Sequence, residues 1–177
     1  MKKALIYISL ILVFIFIYLL QSIFFVNFTI AGVKPNLFVI LVLFIGLFMG
    51  RSRGTIYGII YGILIDLWIG KSLGITSVCL AVVGIIGGLF DKNFSKDSRI
   101  VILLIGMFST IFYETLSYIM YIIFFNINIE ILTFIKIILL ESIYNILLII
   151  IIYPIIKNVG YEVESEIKGD KILTRYF

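Results

Sequence analysis

Long apolar stretches alternate with short groups of charged and turn-forming residues along the whole chain. Within each stretch, apolar residues follow one another without the polar alternation of a half-buried strand. Backbone groups in lipid must bond within their own segment, so stretches this long and apolar are predicted to be membrane-spanning helices. Six are predicted, over residues 4–25, 35–50, 54–70, 73–90, 100–125 and 131–156. The chain is therefore interpreted as an all-α integral membrane protein, a bundle of six transmembrane helices.

The six stretches and their short connections leave no room for a sizeable soluble domain. They form a transmembrane domain over residues 1–157, and residues 158–177 are predicted to be a short, solvated cytoplasmic tail. The first stretch follows Met1-Lys2-Lys3, as the core of a signal peptide would. It is longer than such a core, and Gln21-Ser22 and its neighbours offer no Ala-x-Ala-like cleavage site, so we expect it to be retained as a span.

The basic residues predict the side of the membrane that each loop faces. With the N-terminus inside and six crossings, three of the 14 lysines and arginines (Lys34, Lys71 and Lys136) lie near the outside, and the other eleven lie inside. Short cytoplasmic loops carry an excess of Lys and Arg. We therefore expect both termini to be cytoplasmic.

Composition supports this interpretation and excludes several classes of protein. The chain is 63% hydrophobic and 14% charged, whereas soluble domains are about half apolar and about a quarter charged. Without histidine, and with Cys79 as the single cysteine, it cannot use His-dependent catalysis, His-ligated zinc or an intrachain disulfide. Its net charge of +4 fits cytoplasmic-loop residues rather than nucleic-acid binding. No cofactor, metal or nucleic-acid partner is predicted.

Small residues recur every four positions through the second and third stretches. The series is Gly46, Gly50, Gly54, Gly58, Gly62, Asp66 and Gly70. Steps of four keep these residues on one helix face, which another backbone can approach closely. Two interpretations follow: internal packing among the second, third and fourth spans, which we favour, or a face for a helix of a separate protein.

Three carboxylates interrupt the apolar stretches: Asp66, Glu114 and Glu141. An ionised group at the bilayer centre costs from ~3 to more than 10 kcal/mol, so each needs a partner, water or a proton. Asp66 continues the glycine face and is expected to point into the bundle near the outer interface. The glutamates fall near mid-depth of the last two spans, where a facing pair would keep at least one proton. Two alternatives remain equal. These acids form a polar binding site or proton path, or they form hydrogen-bonded contacts that fix helix packing.

Polar side chains near the two glutamates are candidate hydrogen-bond donors to them. They are Tyr113, Tyr118, Tyr144 and Asn145. An enzyme is disfavoured, because these acids have no recognisable nucleophile or metal frame beside them. Asp66 and Asp91 are predicted at opposite leaflets, so they cannot share a water molecule.

Several short motifs resemble those of the rod shape-determining protein MreD family, and the resemblance covers nearly the whole chain. Pro35-Asn36-Leu37 opens the second span, the glycine-rich third span ends in Asp66 and is followed by Leu73-Gly74, and the last span carries Asn145 and Tyr153-Pro154. The residues that match the family pattern by position are Pro35, Asn36, Gly58, Gly62, Asp66 and Asn145. Glu114 and Glu141 lie outside that pattern.

The resemblance implies a non-enzymatic scaffold of the bacterial cell-elongation complex in the cytoplasmic membrane. It also implies a six-helix fold similar to the substrate-binding subunits of energy-coupling factor transporters. Implied partners are the membrane protein MreC, peptidoglycan synthases and, indirectly, actin-like MreB. The alternative is a vitamin-binding subunit of such a transporter. Those subunits usually carry Ala-x-x-x-Ala in the first span, which here has Ala4 alone.

Two sets of candidate site residues follow, neither of them catalytic, cofactor-binding or metal-ligating. The helix-packing or partner-interface set is Gly54, Gly58, Gly62, Asp66, Pro35 and Asn36. The intramembrane polar set is Glu114, Glu141 and Asn145.

Overall fold

A computed structural model describes residues 2–69, 74–91, 96–126 and 130–169. Its helices are α1 (Lys2–Leu19), a π-helical turn (Leu20–Phe24), α2 (Phe25–Asn27), α3 (Leu37–Met49), α4 (Arg51–Ile69), α5 (Ile75–Phe90), α6 (Arg99–Phe125) and α7 (Ile131–Lys168). Within these ranges no strand forms beyond one isolated bridge between Ile30 and Val33. The predicted all-helical class is therefore confirmed.

Most helix boundaries fall close to those predicted, with differences at two turns. α1, the π-helical turn and α2 follow one another directly, so the first helical segment reaches Asn27. The predicted separator Arg51-Ser52-Arg53 is instead the first turn of α4. Gly50 alone divides α3 from α4, with φ of 91°, a conformation that glycine adopts without steric cost.

α7 is twelve residues longer than the predicted last span. It passes through Pro154 and ends at Lys168, and Gly160 and Glu164 are buried. The first part of the predicted tail thus continues the helix and packs against the bundle through Gly160 and Glu164, and its cytoplasmic location stays a prediction. Residues 170–177 of the predicted tail lie outside the described residues.

Among the described residues, three helical segments are long and apolar enough to cross a membrane: Lys3–Asn27, Arg99–Phe125 and Ile131–Lys168. α3 and α5 have 13 and 16 residues, or about 20 and 24 Å at the α-helical rise, against a hydrocarbon core of about 30 Å. α4 has 19 residues but includes Arg51, Arg53 and Asp66. Length and composition thus support a membrane protein, and the six crossings stay a prediction.

α3 lies at the centre of the bundle, in contact with α4, α5, α6 and α7. Its residues are buried on every side, with Leu41 alone partly exposed. A helix buried all round is apolar all round, which explains the sequence LFVILVLFIGLFM. α1 is peripheral and mostly exposed, and it contacts the bundle through Phe14, whose ring stacks on Tyr61 at 4.5 Å.

Candidate functional site

α3, α4 and α5 meet through glycines, without intervening side chains. A Cβ atom added to Gly58 would lie 2.5 Å from the carbonyl oxygen of Leu80, and one on Gly62 would lie 2.2 Å from Cα of Ser77. We call this contact the glycine seam, formed by Gly46, Gly54, Gly58, Gly62, Gly84, Gly87 and Gly88. The face that the spacing predicted is in contact with α5 of the same chain, which leaves no room there for another protein's helix.

One part of the seam involves all three helices. A Cβ on Gly84 of α5 would lie 2.2 Å from the carbonyl oxygen of Gly54 in α4, and one on Gly54 would lie 2.6 Å from Cα of Gly46 in α3. Backbones this close gain van der Waals contact that any larger side chain would prevent. The four-residue spacing thus places three short helices in direct backbone contact.

Asp66 lies at the end of α4, where it caps the start of α5. Its Oδ2 accepts hydrogen bonds from the backbone N–H groups of Gly74 at 2.8 Å and Ser77 at 3.4 Å. Gly74, the N-cap residue, has no side chain to do this and adopts φ of 100°. A carboxylate at a helix N-terminus satisfies free N–H groups and interacts favourably with the helix dipole. Asp66 is 3% exposed, so its carboxylate accepts these hydrogen bonds inside the bundle.

Asn145 of α7 is fully buried and joins two other parts of the chain. Its Oδ1 accepts from the backbone N–H of Asn36 at 2.9 Å, and its Nδ2 donates to Oγ1 of Thr110 in α6 at 3.0 Å. The Thr110 hydroxyl in turn donates to the Gly106 carbonyl oxygen at 3.0 Å. One amide therefore ties the start of α3 to both long helices.

Gln21, in the π-helical turn, holds the same segment from the other side. Its Nε2 donates to the carbonyl oxygen of Pro35 at 2.6 Å, and its Oε1 accepts from the N–H of Leu37 at 3.2 Å. Asn36 caps α3 by accepting from the N–H of Val39 at 3.3 Å. We call this set the Asn36 junction; its members are Gln21, Pro35, Asn36, Thr110 and Asn145.

Glu114 of α6 and Glu141 of α7, the acid pair, lie beside this junction. Side-chain hydrogen bonds link Glu141 to Glu114 and to Asn36. Glu141 is 7% exposed, and its Oε1 has no hydrogen-bond partner among the described residues. Two expected donors point elsewhere: Asn145 to Thr110, and Tyr144 to the carbonyl oxygen of Phe28 at 2.9 Å. These two hydrogen bonds therefore stabilise other parts of the bundle.

A second buried polar group, the Lys96 cluster, lies near the other end of α3. Lys96 Nζ contacts Asp91 and Glu164 at 2.7 Å each, and Lys168 Nζ contacts the same two carboxylates at 2.6 and 2.9 Å. Lys96 Nζ also lies 5.2 Å from the centre of the Phe48 ring, within cation–π range. The cluster joins the C-terminal part of α7 to the end of α5 and to the residues before α6.

The sequence interpretation did not identify Gln21, Thr110 or the Lys96 cluster as interacting residues. Gln21 is a polar residue in an apolar helix, which signals a buried partner, and Glu164 and Lys168 have the i,i+4 spacing of a helical ion pair. Asp66 and Asp91 lie at opposite ends of α5, as expected. Within the described ranges, no three His, Cys, Asp or Glu side chains come together in a way that could hold a metal ion.

Comparison with family models gave a match over most of the chain. The model for rod shape-determining protein MreD matches residues 1–159 of the 177. The chain belongs to the MreD family. MreD is a shape-determining family, so membership indicates a role in rod shape determination. Searches of curated proteins and of solved structures gave no match. The MreD match includes the glycine seam, the Asn36 junction and the acid pair, and it ends before Glu164 and Lys168.

Proposed function

We propose that this MreD-family chain is a non-enzymatic scaffold of the bacterial cell-elongation complex. It crosses the cytoplasmic membrane six times, with both termini in the cytoplasm. The observation that carries the proposal is the family match over residues 1–159. The concentration of lysines and arginines in the loops assigned to the inside supports the topology.

The use of the polar side chains favours assembly over catalysis. Asp66 is bonded to the start of α5, and Asn145 is bonded to Asn36 and Thr110. These groups hold helices together and do not converge on a site for a reacting molecule. The partners would be an MreC-like membrane protein, peptidoglycan synthases and, through them, actin-like MreB, bound at surfaces other than the glycine seam.

The experiment that tests the proposal is affinity purification of the tagged chain from its native membrane after cross-linking. Wall-synthesis proteins and an MreC-like protein are the expected companions. A co-purifying ATPase module, or a vitamin-sized molecule seen by native mass spectrometry, would support the transporter alternative and contradict the scaffold.

The glycine seam gives a matched pair of variants for the same experiment. Gly58→Leu places a side chain where Leu80 backbone atoms already lie, so we expect lower abundance, loss of the partners and loss of rod shape. Ile60→Phe adds volume on the exposed face of the same helix, where Ile60 is 45% exposed, and should leave all three unchanged. A Gly58→Leu protein with normal abundance, partners and cell shape would contradict a packing role for the seam.

A further inference from the structure

The acid pair poses a chemical problem that the scaffold role does not address. Glu114 and Glu141 come from neighbouring helices and are linked by a side-chain hydrogen bond. Two ionised carboxylates have acceptors alone and cannot bond to each other, so one proton must lie between them. Like charges in contact and away from water also disfavour the doubly ionised state.

The surroundings of the pair do not supply a full set of compensating groups. Asn36 bonds to Glu141, and Lys34, which is exposed, acts on Glu141 as a nearby positive charge. Oε1 of Glu141 and the hydroxyl of the adjacent Ser142 are buried and have no hydrogen-bond partner among the described residues. Glu141 Oε1 therefore retains unused capacity to accept a hydrogen bond beside the shared proton.

We propose that Glu114 and Glu141 form a proton-binding site that takes up one proton between the two carboxyl groups and thereby fixes the start of α3 against α6 and α7. Uptake forms one O–H bond on either carboxyl, and the other carboxylate accepts the resulting hydrogen bond. Release breaks that O–H bond and passes the proton to water through Glu114, the more exposed of the two. Two adjacent negative charges are left beside Asn36, which weakens the contact between α6, α7 and the start of α3.

The other titratable groups near the pair come from three elements. Tyr113 lies on α6, Cys79 on α5 and Lys34 on the segment before α3. A phenol and a thiol ordinarily release their protons at about pH 10 and about pH 8.5, well above the value of an ordinary carboxyl. A titration kept below about pH 8 therefore follows carboxyl groups and not these neighbours, and the Gln variants single out the acid pair.

The test is infrared difference spectroscopy on the purified full-length chain in lipid nanodiscs across that pH range. We expect a protonated-carboxyl C=O band at low pH that disappears as the pH rises, and that is lost in both Glu114→Gln and Glu141→Gln. Glu130→Gln is the matched control, because Glu130 is an exposed acid at the start of α7; it should keep the band.

Thermal unfolding gives an independent measurement. The folded pair would hold a proton that the unfolded carboxyls release, so the unfolding temperature of the wild type should fall as the pH rises through the range. Glu141→Gln leaves Glu114 facing a neutral amide, so no proton is shared between two carboxyl groups and that dependence should flatten. The absence of the band from the wild type, its persistence in both Gln variants, or its removal by sodium at constant pH would overturn the proposal. The wild-type spectrum decides the matter even if neither variant folds.

Discussion

The two buried polar groups at opposite ends of α3 differ in how their charges are balanced. The Lys96 cluster combines two lysines with two carboxylates, and its ion pairs measure 2.6–2.9 Å. The acid pair brings two like groups together and leaves Glu141 Oε1 without a partner in the described structure. The first arrangement is complete and fixes the C-terminal part of α7. The second can change its state of charge, and the Asn36 junction lies directly beside it.

A complete buried cluster is costly to break, even where forming it contributes little net stability. Taking charges out of water costs several kcal/mol per ion, and the mutual attraction offsets this cost only when every member is present. Removal of one member leaves the others buried and unbalanced. The comparison therefore predicts that single substitutions have larger effects at the Lys96 cluster than at the Asn36 junction.

Lys96→Met is expected to have the largest effect. It leaves two carboxylates, Asp91 and Glu164, with Lys168 as the one remaining base of the four cluster residues. Both carboxylates are buried, since the Asp91 and Glu164 side chains are 4% and 10% exposed. We expect the free energy of unfolding to fall by about 3–5 kcal/mol. Denaturant unfolding in detergent, followed by circular dichroism, measures the change.

Lys157→Met is the matched control for Lys96→Met. Lys157 pairs with Asp97 at 2.6 Å, but their side chains are 33% and 68% exposed, so we expect less than about 1 kcal/mol. Equal effects of the two substitutions would contradict the contrast between a buried and an exposed ion pair.

Asn145→Ala tests the Asn36 junction and should rank second. It removes the acceptor for the N–H of Asn36 and the donor to Thr110, and it leaves a cavity at a fully buried position. We expect a loss of about 2–4 kcal/mol in unfolding free energy.

The control for Asn145→Ala is Tyr144→Phe on the same helix. It deletes an exposed hydrogen bond to the Phe28 carbonyl oxygen and should cost less than about 1 kcal/mol. If Asn145→Ala costs no more than this control, the junction does not hold the start of α3.

The glycine seam and the buried polar groups differ in how far their contacts follow from local sequence. Glycine spacing is a local pattern, and a helix converts it directly into a face, so a close backbone contact at Gly58 could be expected from the period of the helix. The structure adds that its partner is the backbone of Leu80. Polar partners far apart in sequence carry no such period. Asn36 and Asn145 are separated by 109 residues, and Lys96 and Glu164 by 68. The sequence marked Asn36 and Asn145 as notable residues, but their bond depends on the whole bundle.

The length of α7 eluded prediction for a related reason. The charged residues after Pro154, among them Glu162, Glu164 and Lys168, are typical of a solvated segment, and the sequence does not show that Glu164 meets Lys96. Pairing with a distant residue allowed this polar stretch to remain helical and packed. Hydropathy predicts which segments enter lipid but not which polar segments are buried by the protein itself.

Asp66→Asn should have a smaller effect than either substitution above. Asp66 differs from the acid pair because backbone N–H groups of Gly74 and Ser77 satisfy it. The amide oxygen of Asn can accept the same bonds, so the loss is confined to the charge–dipole term, about 0.3–1 kcal/mol. Asp66→Ala removes the acceptor altogether and should cost about 1–2 kcal/mol. An Asn variant as unstable as the Ala variant would show that the charge of Asp66, rather than its hydrogen bonding, stabilises this turn.

The smallest effect is expected at Asp97, an exposed acid next to the Lys96 cluster. The hydrogen bond from Lys157 lowers the pKa of the Asp97 carboxyl below its usual range. Desolvation raises this pKa in part, while the charge of Lys157 and a hydrogen bond from the Tyr161 hydroxyl at 3.2 Å lower it further. A depressed folded-state pKa contributes stability above the unfolded value of about 4, and this contribution is lost as the pH falls through the folded pKa. The unfolding temperatures of the wild type and Asp97→Asn should therefore differ at neutral pH, and the difference should vanish below about pH 4. The difference should be small, because solvent screens so exposed an ion pair. A difference that stays constant down to low pH would show that Asp97 acts through packing rather than through its charge.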